Sequence, residues 1–510
     1  MQDSRRAIQV LILNTFAFTV CFAAWMTNGV LVTFLVDNGL YSWDKAQIGW
    51  LIGTPVLTGS LLRLPVGVLT DRFGGRIVYA LLMLVAAVAM YGLSLADSFA
   101  GFFLASLGFG ISGASFAVGI AYTSVWFPKE RQGTALGIFG AGNAGAALTS
   151  MLAPTILKQL TAGEAGLEGW RNLPRIYAAA LLVTAVLFWF LTWTRKVADA
   201  NSRTIRDRLK PLKVMRVWRF GLYYFLVFGG FVALAQWLIP YYVNVYTMSI
   251  TVAGLMASIF TLPSGVIRAL GGWMSDRWGA RAVMYWVLAT CLVTSALLIV
   301  PRMDIQAPGE GVMALKPGTV AEVRPDAVVV DGVTYPVVPP PQNTMGLTND
   351  PDLLVLPHFE SWQEPVVEPG QKVARKELLA RGVTHVYFQA NVWIFTALVF
   401  LLGIAMGIGK AAVYKHIPDY FPNDVGVVGG IVGVLGGLGG FVCPIVFGYL
   451  LKWTGIWTTC WMFFFGLSAL CLFWMHKTVR SIMRRHAPGL LHQIEHSGVD
   501  DLPAGGQEGA

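Results

Sequence analysis

The sequence predicts an all-α membrane protein of twelve transmembrane helices in two six-helix halves, with a small β-rich extracytoplasmic insertion. Three observations carry that reading. The 510 residues are 55% hydrophobic and only 13% charged, with a mean hydropathy of +0.60, whereas soluble domains carry roughly 25% charge. Apolar runs long enough to cross a ~30 Å hydrocarbon core recur along the chain. One stretch also occurs twice. Arg63, Gly67, Asp71, Arg72, Gly74 and Arg76 return as Arg268, Gly272, Asp276, Arg277, Gly279 and Arg281, all at an offset of 205 residues. A fixed offset over that many landmarks marks a duplicated architecture.

In chain order the apolar runs of the first half (1–195) fall at 8–36, 46–70, 77–96, 100–127, 132–158 and 174–194. Those of the second half (217–301 and 390–478) fall at 217–246, 251–275, 282–301, 390–414, 424–451 and 455–476. The first run is too long for the core of a signal peptide and no small-residue cleavage site follows it, so it reads as an uncleaved span. Lys and Arg in the short loops set the orientation. Arg72 and Arg76, Lys129 and Arg131, Arg277 and Arg281, then Lys415 mark alternate loops, and Arg5, Arg6, Lys477 and Arg480 mark the ends. Both termini are therefore expected on the cytoplasmic side of a bacterial inner membrane. The formal charge of +9 reports this topology, and no nucleic-acid partner is expected.

Residues 196–216 form a basic linker whose Arg203, Arg206, Arg208 and Lys210 suit a face resting on the anionic headgroups of the lipid bilayer. The insertion, 302–389, is expected outside the cell. Ala327–Val330, the turn Asp331–Gly332 and Val333–Val338 give a hairpin signal. Val366–Val373 looks like half of a barrel-sandwich module of the lipoyl type, but no strand–Asp–Lys–strand turn follows, so no cofactor is expected. The insertion reads as an inert cap, or as a lid or docking surface for an extracytoplasmic partner. Its His358 and His385 are isolated and lack catalytic or ligand spacing, so no enzyme is expected. The tail, 479–510, is cytoplasmic in this topology and is polar and Gly-rich from about 487, a composition that resists folding. Cys21, Cys291, Cys443, Cys460 and Cys471 lie in apolar runs with no paired spacing and read as buried hydrophobes, not as a disulfide or metal set.

The duplicated stretch also points to function. Arg63 and Arg268 each sit inside an apolar helix, roughly 10 Å from its cytoplasmic end at 1.5 Å per residue. A cation there costs at least a few kcal/mol, so it has a partner. No carboxylate lies at comparable depth in the sequence, which makes the cargo, an anion, the missing counter-charge. Guanidinium is always charged and presents a planar donor fork that suits a planar oxyanion bidentately. The bland alternative is that both arginines snorkel or bond backbone carbonyls. Gly140, Gly142 and Gly145 around Asn143, and Gly433, Gly436, Gly437 and Gly440 in the eleventh run, have the spacing that lets helices approach closely and offers smooth faces that can slide. Tyr224 and Phe228 share one face at i, i+4, and Phe116 lies in the fourth run. By composition alone these three are core aromatics.

Gly67–Arg76 resembles the loop signature of the major facilitator superfamily, and 272–281 repeats it. With Gly140–Ala146 and Val428–Phe441 the chain resembles the nitrate/nitrite porter family over all but the insertion and the tail. The resemblance implies a major facilitator fold, conformational loops at Asp71, Arg72, Arg76, Asp276, Arg277 and Arg281, and a nitrate or nitrite anion clamped by Arg63 and Arg268. It further implies a hydrogen bond from Tyr224, a sandwich by Phe116 and Phe228, and a lining role for Asn143. The eleventh run has no asparagine to mirror Asn143. The Gly–Ala–Gly–Asn form resembles the branch associated with nitrate uptake coupled to protons. Symport needs a titrating group, and Lys410, expected to snorkel from the cytoplasmic end of the tenth run, is the other embedded base. Nitrate/nitrite antiport needs none. A drug exporter of the same fold would show embedded carboxylates instead of an arginine pair.

Overall fold

The computed structural model describes residues 2–195, 210–340, 353–421 and 425–486. Arg203, Arg206, Arg208 and the tail beyond 486 lie outside the described residues. Ten helices make up the first half: α1 (Gln2–Trp25), α2 (Thr27–Asp37), α3 (Lys45–Leu61), α4 (Arg63–Phe73), α5 (Gly75–Leu93), α6 (Phe99–Phe109), α7 (Ser115–Trp126), α8 (Lys129–Gly140), α9 (Gly145–Thr161) and α10 (Asn172–Leu191). Eight make up the second: α11 (Met215–Tyr224), α12 (Gly230–Tyr246), α13 (Ile250–Val266), α14 (Arg268–Trp278), α15 (Ala280–Ile299), α16 (Val392–Tyr420), α17 (Val425–Thr454) and α18 (Thr459–His486). Among the described residues, eleven continuous segments are long and apolar enough to cross a membrane, and the pair α13 and α14, bent by 44°, brings the number to twelve if it counts as one span. Arg216, assigned to the linker from the sequence, belongs to the first turn of α11.

Several runs that read as single helices are broken, and the breaks have local causes. Pro65 has no N–H for the Leu61 carbonyl, and its ring crowds the turn before it. α3 accordingly stops at Leu61 and α4 restarts at Arg63. The Ser264–Gly265 pair, a common kink element, lies just before the break at Ile267. Short 3₁₀ turns, Gly110–Ala114 and Ala141–Ala144, interrupt the fourth and fifth spans, and a π-helix, Phe225–Gly229, joins α11 to α12. Such π segments recur at functional sites because they re-aim side chains.

The insertion forms two antiparallel sheets. Strands β1 (Arg302–Met313), β7 (Leu378–Gln389) and β5 (Val355–Pro365) make one sheet in that order. The other runs β4 (Val333–Pro336), β3 (Ala327–Val330), β2 (Gly318–Val323), β6 (Lys372–Val373). The expected hairpin is present, with Asp331 and Gly332 both at positive φ in its turn. Val320, Val328, Val330 and Leu379 fill a small separate core. β1 and β7 continue directly from α15 and into α16, so the insertion stands on one end of the bundle, called the insertion side below.

On that side the two halves are pressed together. A side chain on Gly49 of α3 would lie 2.3 Å from the Pro444 carbonyl of α17, one on Gly53 2.6 Å from the Phe441 carbonyl, and one on Gly448 2.4 Å from the Lys45 carbonyl. Glycine is required at these crossings because backbone meets backbone. The Asp44 carboxylate, 2.8 Å from Lys452 Nζ, ties the same two helices at their ends. Lys452 and the Gln47 N–H hold the Asp44 carboxyl below the usual carboxylate range.

Candidate functional site

Both helix breaks deliver an arginine. Arg63 and Arg268 are the first residues of α4 and α14, one from each half, and the ring of Phe116 lies between them: Arg63 Cζ is 5.5 Å and Arg268 Cζ 5.4 Å from its centroid. Arg63 Cζ also stands 4.9 Å from the Phe228 ring and 5.8 Å from the Trp25 ring. Arg63 is 4% exposed. Its Nη1 donates to the Gly433 carbonyl at 2.8 Å, so the backbone-carbonyl alternative is half realised. Its Nε and Nη2, however, are buried without a partner, and so is Nη1 of the half-buried Arg268. Among the described residues no Asp or Glu is buried. Three charged donors thus converge where no described carboxylate is buried, and each hydrogen bond to an anion there contributes about 1.5–3 kcal/mol.

The surrounding polar groups share that condition. Both amide atoms of Asn143 and the hydroxyls of Ser60 and Ser264 are buried with no hydrogen-bond partner among the described residues, and the Tyr224 hydroxyl lies against Tyr414 and Arg268. Asn143, in the 3₁₀ turn, packs its Cβ toward Gly265 beside the α13 break. The π-helix stacks Tyr224 on Phe228 at 4.9 Å and 5°. Because buried polar groups are nearly always satisfied, an orphaned cluster centred on two arginines marks a candidate ligand site.

The glycines divide into two groups. Gly436 receives the Tyr224 ring, whose Cδ1 would lie 2.1 Å from an added Cβ, and Gly440 receives Val232 and Val56. Gly142 and Gly145 accept Phe18 and the Thr19 carbonyl. A side chain added at Gly437 would meet Ser60 first, at 2.3 Å, and one at Gly433 the Tyr414 hydroxyl at 3.0 Å, with Arg63 Nη1 next at 3.5 and 3.8 Å, whereas one at Gly140 would meet only Arg268. Gly437 and Gly433 therefore make room for Ser60 and Tyr414 beside Arg63, and Gly140 borders Arg268.

Lys410 requires a correction. It does not snorkel: it is fully buried, with Nζ 3.2 Å from the Ser264 carbonyl and 3.3 Å from the Phe231 ring centroid. The Phe231 ring face and the Ser264 carbonyl give its buried amine two partners. Sequence reasoning missed Trp25, Ser60 and Tyr414. Tyr414 donates to the Gly429 carbonyl at 3.1 Å, meets Tyr224 edge-on at 5.0 Å, and lies under Arg268. Its signal was its place one helical turn after Lys410. In the loop motifs, Arg76 bonds the Trp189 carbonyl at 2.8 Å, Asp276 pairs with Lys415 at 2.6 Å, and Arg281 reaches the Tyr420 hydroxyl at 2.9 Å. Arg72 and Arg277 lie over the aromatic rings of Phe73 and Trp273, while Asp71 has its own partner.

The family model for the Major Facilitator Superfamily matches residues 13–350 and 378–491. A protein of Thermus thermophilus described as a probable nitrate/nitrite antiporter, NarK1, is 38% identical over 496 residues, covering 96% of both chains. The chain belongs to the nitrate/nitrite porter family of the Major Facilitator Superfamily. It is thus a multi-pass membrane transporter and not an enzyme. A nitrite extrusion protein of Bacillus subtilis is 29% identical over 58% of this chain and 72% of its own, and a probable nitrate transporter, NarT, of Staphylococcus epidermidis is 25% identical over 92% and 96%. A bacterial homolog of the lysosomal transporter Spinster, inward-facing and unoccupied, superposes with a TM-score of 0.61 at 14% identity over 93% of this chain and 97% of that one. That likeness concerns the fold alone.

Proposed function

We propose that this porter carries nitrate, nitrite or both across the bacterial inner membrane by alternating access, with both termini cytoplasmic and the insertion outside. The observation that supports it is the set of three unpartnered guanidinium donors from Arg63 and Arg268, buried where no described carboxylate is buried. In this reading the two forks clamp a flat anion in its plane while the Tyr224 hydroxyl and the Asn143 amide bond its remaining edge. Phe116 and Phe228 cover its faces and exclude bulkier tetrahedral ions. An empty cavity leaves two cations facing each other, and that repulsion resists closure until an anion enters.

Nitrate/proton symport and nitrate/nitrite antiport differ in one requirement, a group that gains and loses a proton. Lys410 is the sole buried lysine among the described residues, and although it borders the site through Ser264, its partners are the Ser264 backbone carbonyl and the Phe231 ring and none of the orphaned atoms. That placement supports exchange over the symport that the Gly–Ala–Gly–Asn branch resemblance implies. The test uses proteoliposomes of purified protein. Nitrate entry driven by internal nitrite and indifferent to a protonophore supports exchange. Entry that needs no internal anion and collapses with the protonophore means symport, and absence of either flux removes the transport reading.

A further inference from the structure

A second group of arginines lies away from the interface between the halves. Arg216 and Arg219 project from the first turns of α11, and Arg281 is the second residue of α15. With His416 and Tyr420 at the end of α16, and α18 behind, they line a pocket at the end of the bundle opposite the insertion. Tyr420 organises it: Arg281 Nη2 bonds its hydroxyl at 2.9 Å, and Arg216 Cζ lies 4.3 Å from its ring centroid. Arg219 Nε is buried and has no partner. Among the described residues, no Asp or Glu lines the pocket. The two helices that enter it add their own positive ends. Neither α11 nor α15 has an acidic residue in its first turn or a side-chain cap.

Three guanidiniums that line one pocket with no described carboxylate repel one another, and an arrangement of that kind matches a polyvalent oxyanion. We infer that this pocket binds a phosphate group, with Arg216, Arg219 and Arg281 as its donors and two helix N-termini as its floor. The ligand chemistry is a phosphate ester or free phosphate. The rim favours an anionic phospholipid headgroup as the source, because Met215 and Trp218 stand 62% and 45% exposed beside the arginines and would meet acyl chain and interface. The pocket shares α11 and α16 with the nitrate site, but none of the residues lining it is among those gathered around Arg63 and Arg268.

The test is native mass spectrometry of the full chain in detergent with phosphatidylglycerol, phosphatidylcholine or inorganic phosphate added. The wild type should retain phosphatidylglycerol roughly tenfold better than phosphatidylcholine. The Arg216→Gln/Arg219→Gln double variant should lose that preference, while Arg216→Lys/Arg219→Lys keeps most of it. Nitrate-dependent thermal stabilisation of each variant, which reads the other cavity, reports that the fold is intact. Displacement of the bound lipid by millimolar phosphate would support the same site with a soluble ligand as the competing source. Equal retention of the two lipids with no effect of phosphate would overturn the inference, as would a preference that survives the Gln variants.

Discussion

Replacing Gly49 by Ala should hold the carrier open on its insertion side. The added methyl carbon would stand 2.3 Å from the Pro444 oxygen, 3.0 Å from its carbonyl carbon and 3.1 Å from Ile445 Cα. All three are backbone atoms of the opposing half and cannot rotate away, so α3 and α17 must part until ordinary contact, about 1 Å further, is restored. Overpacking of this kind costs about 1–3 kcal/mol. The cost falls on the state in which the two helices touch and not on the state in which they have separated. A bias of that size changes the ratio of the two states by about 5- to 150-fold. Spin labels at Asn38 and Ser249, exposed on the insertion side of the two halves, report it as a distance distribution. Gly49→Ala should move the main population to longer distance and lower transport at least severalfold. A variant with the wild-type distribution and wild-type transport would refute the idea that these glycines set the closed contact.

Three further outcomes follow from the same geometry. Asp44→Asn should populate the long distance at pH 7 in the same labels, though less than Gly49→Ala, because a half-exposed ion pair contributes only about 0.2–1 kcal/mol. Since Lys452 depresses the Asp44 pKa, the wild-type clamp should hold at neutral pH and weaken only as pH falls below the usual carboxylate range. A distance titrating near neutrality would contradict the assignment. Lys410→Met leaves the Ser264 carbonyl without its 3.2 Å donor. It should cost about 1–3 kcal/mol in stability, read by thermal unfolding, while the pH profile of exchange keeps its shape. A flattened profile would restore Lys410 as a proton carrier. Gly436→Ala should abolish transport, because the methyl would occupy the place of the Tyr224 ring. Near-normal flux would place that ring elsewhere in the working protein.

The fold was legible because bilayer thickness dictates long apolar runs, and because duplication repeats its landmarks at one offset. Arg63 and Arg268 could be singled out for the same reason: a cation in hydrocarbon is costly enough to demand an explanation from sequence alone. The breaks were harder to see. Pro65 and the Ser264–Gly265 pair are local signals, but a membrane helix tolerates such residues when its neighbours satisfy the freed backbone, so their effect depends on tertiary context. Lys410 was misread for a related reason. Distance from a helix end suggests snorkelling, whereas its real environment comes from Phe231, 179 residues earlier, and from the Ser264 carbonyl. Tyr414 and Trp25 carry no charge to mark them, and in an apolar run they cannot be told from packing aromatics. The glycines were legible as close-packing residues. Which of them make room for Tyr224, for the other half or for Ser60 and Tyr414 beside Arg63 is a property of the assembled bundle.

The central claim is that Arg63 and Arg268 are completed by a planar anion. Isothermal titration of nitrate into the purified chain tests it most directly, alongside Arg63→Lys and Arg268→Lys, with sulfate as the control anion. The account expects saturable one-to-one nitrate binding, none for sulfate, and a loss of at least about tenfold in affinity in each Lys variant, since an ammonium keeps the charge but not the fork. Lys variants that bind nitrate as tightly as the wild type would contradict it.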